Sequence, residues 1–186
     1  MITNLNIGIW TRGSRIRRRF LSIIAVLIVA IIVTAAGSFV PLDAQEAERI
    51  SSDLNQTVTT LQERDALMPF IFGNNLFICL LMFIPVLGPV LGLYIMFNSG
   101  QVIGAIATSS GLPPALALIA LFITPIAWLE FAAYSAAMAE SVWLFRRVFQ
   151  RLGLSELRKN TTLFVTLCTI LLAIGALVET ALISIV

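Results

Sequence analysis

Histidine is absent from the 186 residues, and cysteine occurs only twice. The first absence removes the commonest metal ligand and the usual general base. Cys79 and Cys168 fall in no CxxC or metal-like spacing, so both read as small buried hydrophobes. Charge is scarce too, with Asp, Glu, Lys and Arg making up 12% of the chain. No glycine-rich phosphate loop and no nucleic-acid-binding module is present, and Ser99, Ser109, Ser110, Ser135 and Ser141 have no obvious base beside them. These absences argue against an enzyme, a cofactor, a metal site and a nucleic-acid partner.

What fills the chain instead is hydrocarbon: 59% of residues are hydrophobic and the mean hydropathy is +0.97. Apolar stretches of roughly 20 residues read as membrane spans, because such a helix crosses the ~30 Å hydrocarbon core. Residues 20–40 and 161–186 are two of them, and 69–142 is a block long enough for several. The charges are segregated around these runs. Arg12, Arg15, Arg17, Arg18 and Arg19 precede the first, while Arg146, Arg147, Arg151, Arg158 and Lys159 lie between 142 and 161. Residues 41–68 carry Asp43, Glu46, Glu48, Asp53, Glu63 and Asp65 against Arg49 and Arg64. By the positive-inside rule the N-terminus and the 146–159 loop are cytoplasmic, and 41–68 is outside.

That orientation requires an odd number of crossings between 68 and 146, and three is the economical number. Gly88-Pro89 marks one joint and Ser109 to Pro114 the next. The expected spans are 20–40, 69–87, 90–109, 114–142 and 161–186, with kinks at Pro85 and Pro125. The fold expected is a single all-α domain: an integral membrane helical bundle of about five transmembrane helices and one extracytoplasmic amphipathic helix. Its parts are a basic cytoplasmic N-terminus (1–19), span 1 (20–40), the outer helix (41–68), spans 2–4 (69–142), a basic cytoplasmic loop (143–160) and span 5 (161–186). The C-terminus then lies outside a cell membrane. A competing reading takes Arg17-Arg18-Arg19-Phe20-Leu21 as a twin-arginine export pattern with a peptidase site at Val33-Thr34-Ala35. The apolar run continues to Val40, longer than an export signal needs, which favours a retained span beside a basic cluster on anionic lipid.

In the outer segment Ala47, Ile50, Leu54, Val58 and Leu61 recur at spacings of three and four, one face of a helix of roughly six turns. Asp43 followed by Glu46 resembles a capping box. The opposite face is acidic and repelled by anionic lipid, so Ile50, Leu54, Val58 and Leu61 are expected to pack on protein. Either the chain's own spans or an extracytoplasmic partner fits.

Polar residues inside the apolar runs are costly and therefore informative. Counting 1.5 Å per residue from the span ends puts Asn74 and Asn75 about 8–9 Å below the outer boundary. The same count puts Asn98 about 12 Å, Gln101 about 16 Å and Glu130 about 10 Å above the inner boundary, with Glu179 near the outer face. Glu130 is expected to be uncharged and hydrogen-bonded to an amide such as Asn98, since no Lys or Arg lies within spans 2–5. Glu140 and Glu179, close to span ends, read as interfacial. The set serves either as interhelical hydrogen bonding or as a site for an ion, proton or small polar ligand. Gly88 with Gly92, Gly100 with Gly104, and the alanines of 132–139 make small-residue faces that let helices approach closely.

Asn74-Asn75, Gly88 with Gly92, Asn98-x-Gly100 with Gly104, and Pro125-Ile-Ala-Trp-Leu-Glu130 ahead of an alanine-rich stretch follow one another in order. Over residues 70–142 this resembles the stage II sporulation protein M family. Where that family commonly has Pro-His-Gly-x-x-Glu, this chain has Ile126 and Ala127, so no role of the histidine carries over. The resemblance implies a five-span membrane protein without established enzymatic activity. Its sporulation members are similar to scaffolds that recruit cell-wall-degrading partners at a septum, a role nothing in these residues supports. The expected function is a non-catalytic membrane scaffold or assembly factor for membrane or extracytoplasmic proteins, or for further copies of itself. The alternative is a transporter or channel-like protein moving an ion, proton or small solute past Asn98, Gln101 and Glu130.

Overall fold

The computed structural model describes the backbone of residues 3–149 and 154–184, and the side chains of 17–149 and 160–184. The side chains of Arg12, Arg15, Arg151, Arg158 and Lys159 lie outside the described residues. The secondary structure described is helical: α1 Thr3–Ser38, α2 Ala44–Glu63, α3 Leu67–Met82, α4 Leu87–Ser109, α5 Pro114–Ile123, α6 Pro125–Phe149 and α7 Leu154–Ile183. Arg17–Ser38, Leu87–Ser109 and Asn160–Ile183 are each long and apolar enough to cross a bilayer. Helices α5 and α6 form a fourth such stretch, bent by 85°. Helix α3 is apolar but has 16 residues, about 24 Å of helix.

Local chemistry sets the ends of these helices. Asp65 at φ 53 closes α2, with Ala66 N–H on Leu61 O and Asp65 N–H on Gln62 O, the paired bonds of a left-handed cap. Gly111 at φ 67 closes α4 in the same way, through Leu112 N–H on Ala107 O and Gly111 N–H on Thr108 O. Asp43 stands at the N-cap of α2, but its side chain makes no capping hydrogen bond, so the capping box expected from Asp43 and Glu46 does not form.

The joint between α3 and α4 comes earlier than Gly88-Pro89. The chain turns at 83–86, with Val86 at φ 71, ψ −51 and Leu87 N–H bonded to Pro85 O. Gly88 and Pro89 belong to the first turn of α4, where a missing N–H costs nothing because no intrahelical acceptor exists for it. The expected kink at Pro125 is a full corner that divides 114–142 into two helices. Proline frees the Leu121 carbonyl, which accepts instead from the Thr124 N–H at 3.1 Å and the Thr124 hydroxyl at 2.7 Å. Trp128 Nε1 donates to the neighbouring Phe122 carbonyl at 2.8 Å.

Helix α6 is the centre of the bundle. Every residue from Ala133 to Ser141 is buried, as expected of a helix enclosed on all sides; α1, α3, α4, α5 and α7 pack around it. Small side chains make this possible. A Cβ on Gly88 would meet the Met82 carbonyl and lie 2.8 Å from Ser141 Oγ, and one on Gly92 would strike Met138. The Gly100–Gly104 pair does the same for α1: their Cβ positions are occupied by the Thr34 and Ser38 carbonyls, and Gly37 returns the contact against Phe97 O. Backbones this close gain dispersion contacts that lipid cannot replace. The thiols of Cys79 on α3 and Cys168 on α7 both point at the Ala133 carbonyl, at 4.0 and 3.3 Å.

Candidate functional site

The polar residues of the spans do not meet where straight helices would bring them. Asn75 Nδ2, on α3, donates to Glu130 Oε1, on α6, at 2.7 Å. Asn98 Nδ2 bonds within its own helix to the Tyr94 carbonyl at 2.8 Å, so the expected Asn98–Glu130 pair is replaced by Asn75–Glu130. The corner at Thr124 explains the change. Counting through an unbroken 114–142 helix puts Glu130 near the basic end. With the corner, Glu130 is the sixth residue of α6, about 8 Å from its start, and it comes level with Asn75, about 12 Å into α3.

Two further groups join this pair. Glu179, half-buried on α7, is close enough to interact electrostatically with Glu130. Tyr134, one turn along α6, is 4% exposed and feels both carboxyls. Gln101 is half-buried on α4 and does not belong to the group. Asn74 points the other way, exposed on the outside of α3.

Glu179 also lines a cleft of about 420 Å3 under α2. One wall is the apolar stripe of α2, namely Ile50, Leu54, Val58 and Leu61; the other is Leu67, Phe70, Ile71 and Ile183 from the ends of α3 and α7. Ala47, at the start of that stripe, is completely buried, whereas Leu54 is 39% exposed. Helix α2 is therefore seated on the bundle, chiefly against α4, and leaves most of its apolar stripe open to the cleft. Asp53 and Glu179 give the cleft two carboxylates.

A second polar cluster ties the opposite, basic end together. Arg19 on α1 pairs with Glu140 on α6 at 3.3 Å, and the Glu140 side chain is only 3% exposed. Thr161 Oγ1 on α7 donates to the same carboxylate at 3.2 Å. The Arg19 guanidinium lies 5.6 Å from the Trp143 ring and 6.0 Å from that of Phe164. Trp143 Nε1 in turn donates to Ser22 Oγ at 2.9 Å. Glu140 is thus a buried ion-pair member and not an interfacial carboxylate. Opposite charges at the same end of neighbouring spans are the signal for this pair, one that assigning the arginines to lipid headgroups passes over.

Long apolar helices enclosing a small-residue core, with paired polar groups inside, define a multi-pass helical membrane protein. The sequence pattern of the stage II sporulation protein M family matches residues 19–183, and the chain belongs to that family. No match was found among curated proteins or among solved structures.

Proposed function

We propose that this protein is a non-catalytic membrane scaffold or assembly factor that holds a partner protein at α2. The observation that carries the reading is the half-covered stripe of α2: anchored at Ala47, open along Ile50, Leu54, Val58 and Leu61, and walled by carboxylates. Charge complementarity selects the occupant, an apolar protein segment carrying a Lys or Arg that meets Asp53 and Glu179. The positive-inside rule puts Arg17–Arg19, Arg146 and Arg147 in the cytoplasm. The N-terminus is then cytoplasmic, and α2 and the C-terminus are extracytoplasmic, in a cell membrane. The partner therefore presents its segment from the outer side or from within the bilayer. The protein brings no reaction of its own to the partner: it has no histidine, and its one span carboxyl on an amide partner is held in a hydrogen bond.

The test is co-purification under mild detergent of the intact chain, of Leu54→Asp/Val58→Asp, and of a chain lacking 43–68. The reading expects a partner with the intact chain that both altered forms lose. Purification with no partner, together with full tolerance of the deletion in cells, counts against it.

A second reading, passage of an ion, proton or small solute, is favoured by the Asn75–Glu130 pair with Glu179 beside it, beneath a helix corner. Against it, the cleft is lined by Glu179 and not by Glu130. Flux in reconstituted vesicles that Glu130→Gln leaves unchanged removes this reading.

A further inference from the structure

The two adjacent amides of α3 have opposite fates. Asn75 faces the bundle and is paired with Glu130. Asn74 faces outward, is exposed, and makes no hydrogen bond among the described residues. It is the eighth of sixteen residues in the apolar α3, about 11–12 Å from either helix end, so wherever α3 lies in hydrocarbon this short side chain is held among acyl chains. A polar group on the lipid side of a span is expected to find a protein partner, because hydrocarbon supplies none.

The surroundings of Asn74 are shaped for a helix. Gly73 is exposed beside it, and a Cβ there would meet nothing within 4 Å. Of the glycines in α3, α4 and α7 it alone faces open space, whereas Gly88, Gly92, Gly100 and Gly104 each receive a neighbour. Glycine weakens a helix interior, so a flat spot that serves nothing within the chain points to something outside it. Phe77 (63% exposed) and Leu80 (43%) continue the same stripe, and Phe70 joins it to the α2 cleft.

Self-complementarity identifies the occupant. A side-chain amide both donates and accepts, so two Asn74 amides related by a twofold axis satisfy each other, which is the geometry of an isologous interface. Two copies inserted in the same orientation bring α3 against α3 in parallel, and Gly73 lets the backbones close. We propose that Gly73, Asn74, Phe77 and Leu80 form a self-association face through which two copies of this chain pair in the bilayer, with reciprocal Asn74 hydrogen bonds across the axis. This dimer does not depend on the scaffold reading, since it needs no other protein.

The test uses the purified full chain in phosphatidylethanolamine–phosphatidylglycerol vesicles, with donor- and acceptor-labelled copies and energy transfer followed against protein-to-lipid ratio. The intact chain is expected to dimerise, and Asn74→Leu to weaken the dimer about eightfold, the effect of two interhelical hydrogen bonds of average strength in a bilayer. Gly73→Leu is expected to weaken it about tenfold or more by holding the helices apart. Neither change touches a contact within the chain, so in dilute mixed micelles both variants stay folded, with an unfolding midpoint no lower than that of the intact protein and, for Gly73→Leu, raised by the helix propensity gained. Ile170→Ala, on the exposed side of α7, leaves the dissociation constant unchanged. Absence of energy transfer in vesicles holding this chain alone overturns the proposal. A dissociation constant within about twofold of the intact chain for either α3 variant does the same.

Discussion

Removing Arg19 is the perturbation that most directly tests how the basic end is held. Its side chain is 15% exposed and that of its partner Glu140 3% exposed, so Arg19→Met leaves a buried carboxylate with Thr161 Oγ1 at 3.2 Å as its remaining hydrogen-bond donor among the described residues. Breaking a buried ion pair from one side costs about 3–5 kcal/mol, chiefly because the surviving charge stays desolvated. Arg147 also acts on Glu140 at longer range, which puts the expected loss at the lower end, about 3 kcal/mol. Glu140→Leu should cost about half as much, since the long stem of Arg19 can carry its charge toward the headgroups. The double variant Arg19→Met/Glu140→Leu should return to within about 1 kcal/mol of the intact protein, because two apolar side chains fill a similar volume without a desolvation cost. Equilibrium unfolding of the purified protein in mixed micelles, titrated with dodecyl sulfate and followed by circular dichroism, measures all four corners of the cycle. A double variant no more stable than Arg19→Met, or an Arg19→Met loss under about 0.5 kcal/mol, refutes the reasoning.

The same titration reads five further changes. Asn75→Leu should cost about 1–3 kcal/mol by leaving Glu130 without its 2.7 Å donor, whereas Glu130→Gln keeps an acceptor oxygen there and should change stability by about 0.6 kcal/mol or less. Gly100→Ala should cost about 1–3 kcal/mol, since its Cβ falls on the Thr34 backbone. Gly73→Ala, in open space, should gain about 0.5–1 kcal/mol from helix propensity; equal effects at the two glycines would refute the packing argument. Val86→Gly should stabilise by about 1 kcal/mol by relieving a β-branched residue at φ 71, and a loss there would show that the Val86 side chain matters more than its backbone.

The arrangement separates two tasks along the length of the bundle. At the basic end, Arg19, Glu140 and Thr161 clamp α1, α6 and α7. At the other end, the Asn75–Glu130 bond holds α3 to α6, while Glu179 both feels Glu130 and lines the α2 cleft. Under the proposed scaffold function, a cationic group entering the cleft would act on the polar pair through Glu179.

The class of this protein is legible in its residues alone. Hydropathy and length specify lipid-crossing helices, because every backbone polar group in hydrocarbon must be satisfied within its own helix. The small-residue pattern of Gly88, Gly92, Gly100 and Gly104 marked where backbones touch, since only a missing side chain permits that approach. The spacing of Ile50, Leu54, Val58 and Leu61 marked one face of α2. Tertiary structure decided the pairings. Whether Glu130 meets Asn98 or Asn75 depends on its depth, and depth depends on whether Pro125 bends a helix slightly or turns a corner of 85°. The choice of Arg19 for Glu140 is of the same kind, as is the opposite facing of Asn74 and Asn75. A one-residue step rotates a side chain about 100° around a helix, and only the neighbours of α3 fix which amide turns inward.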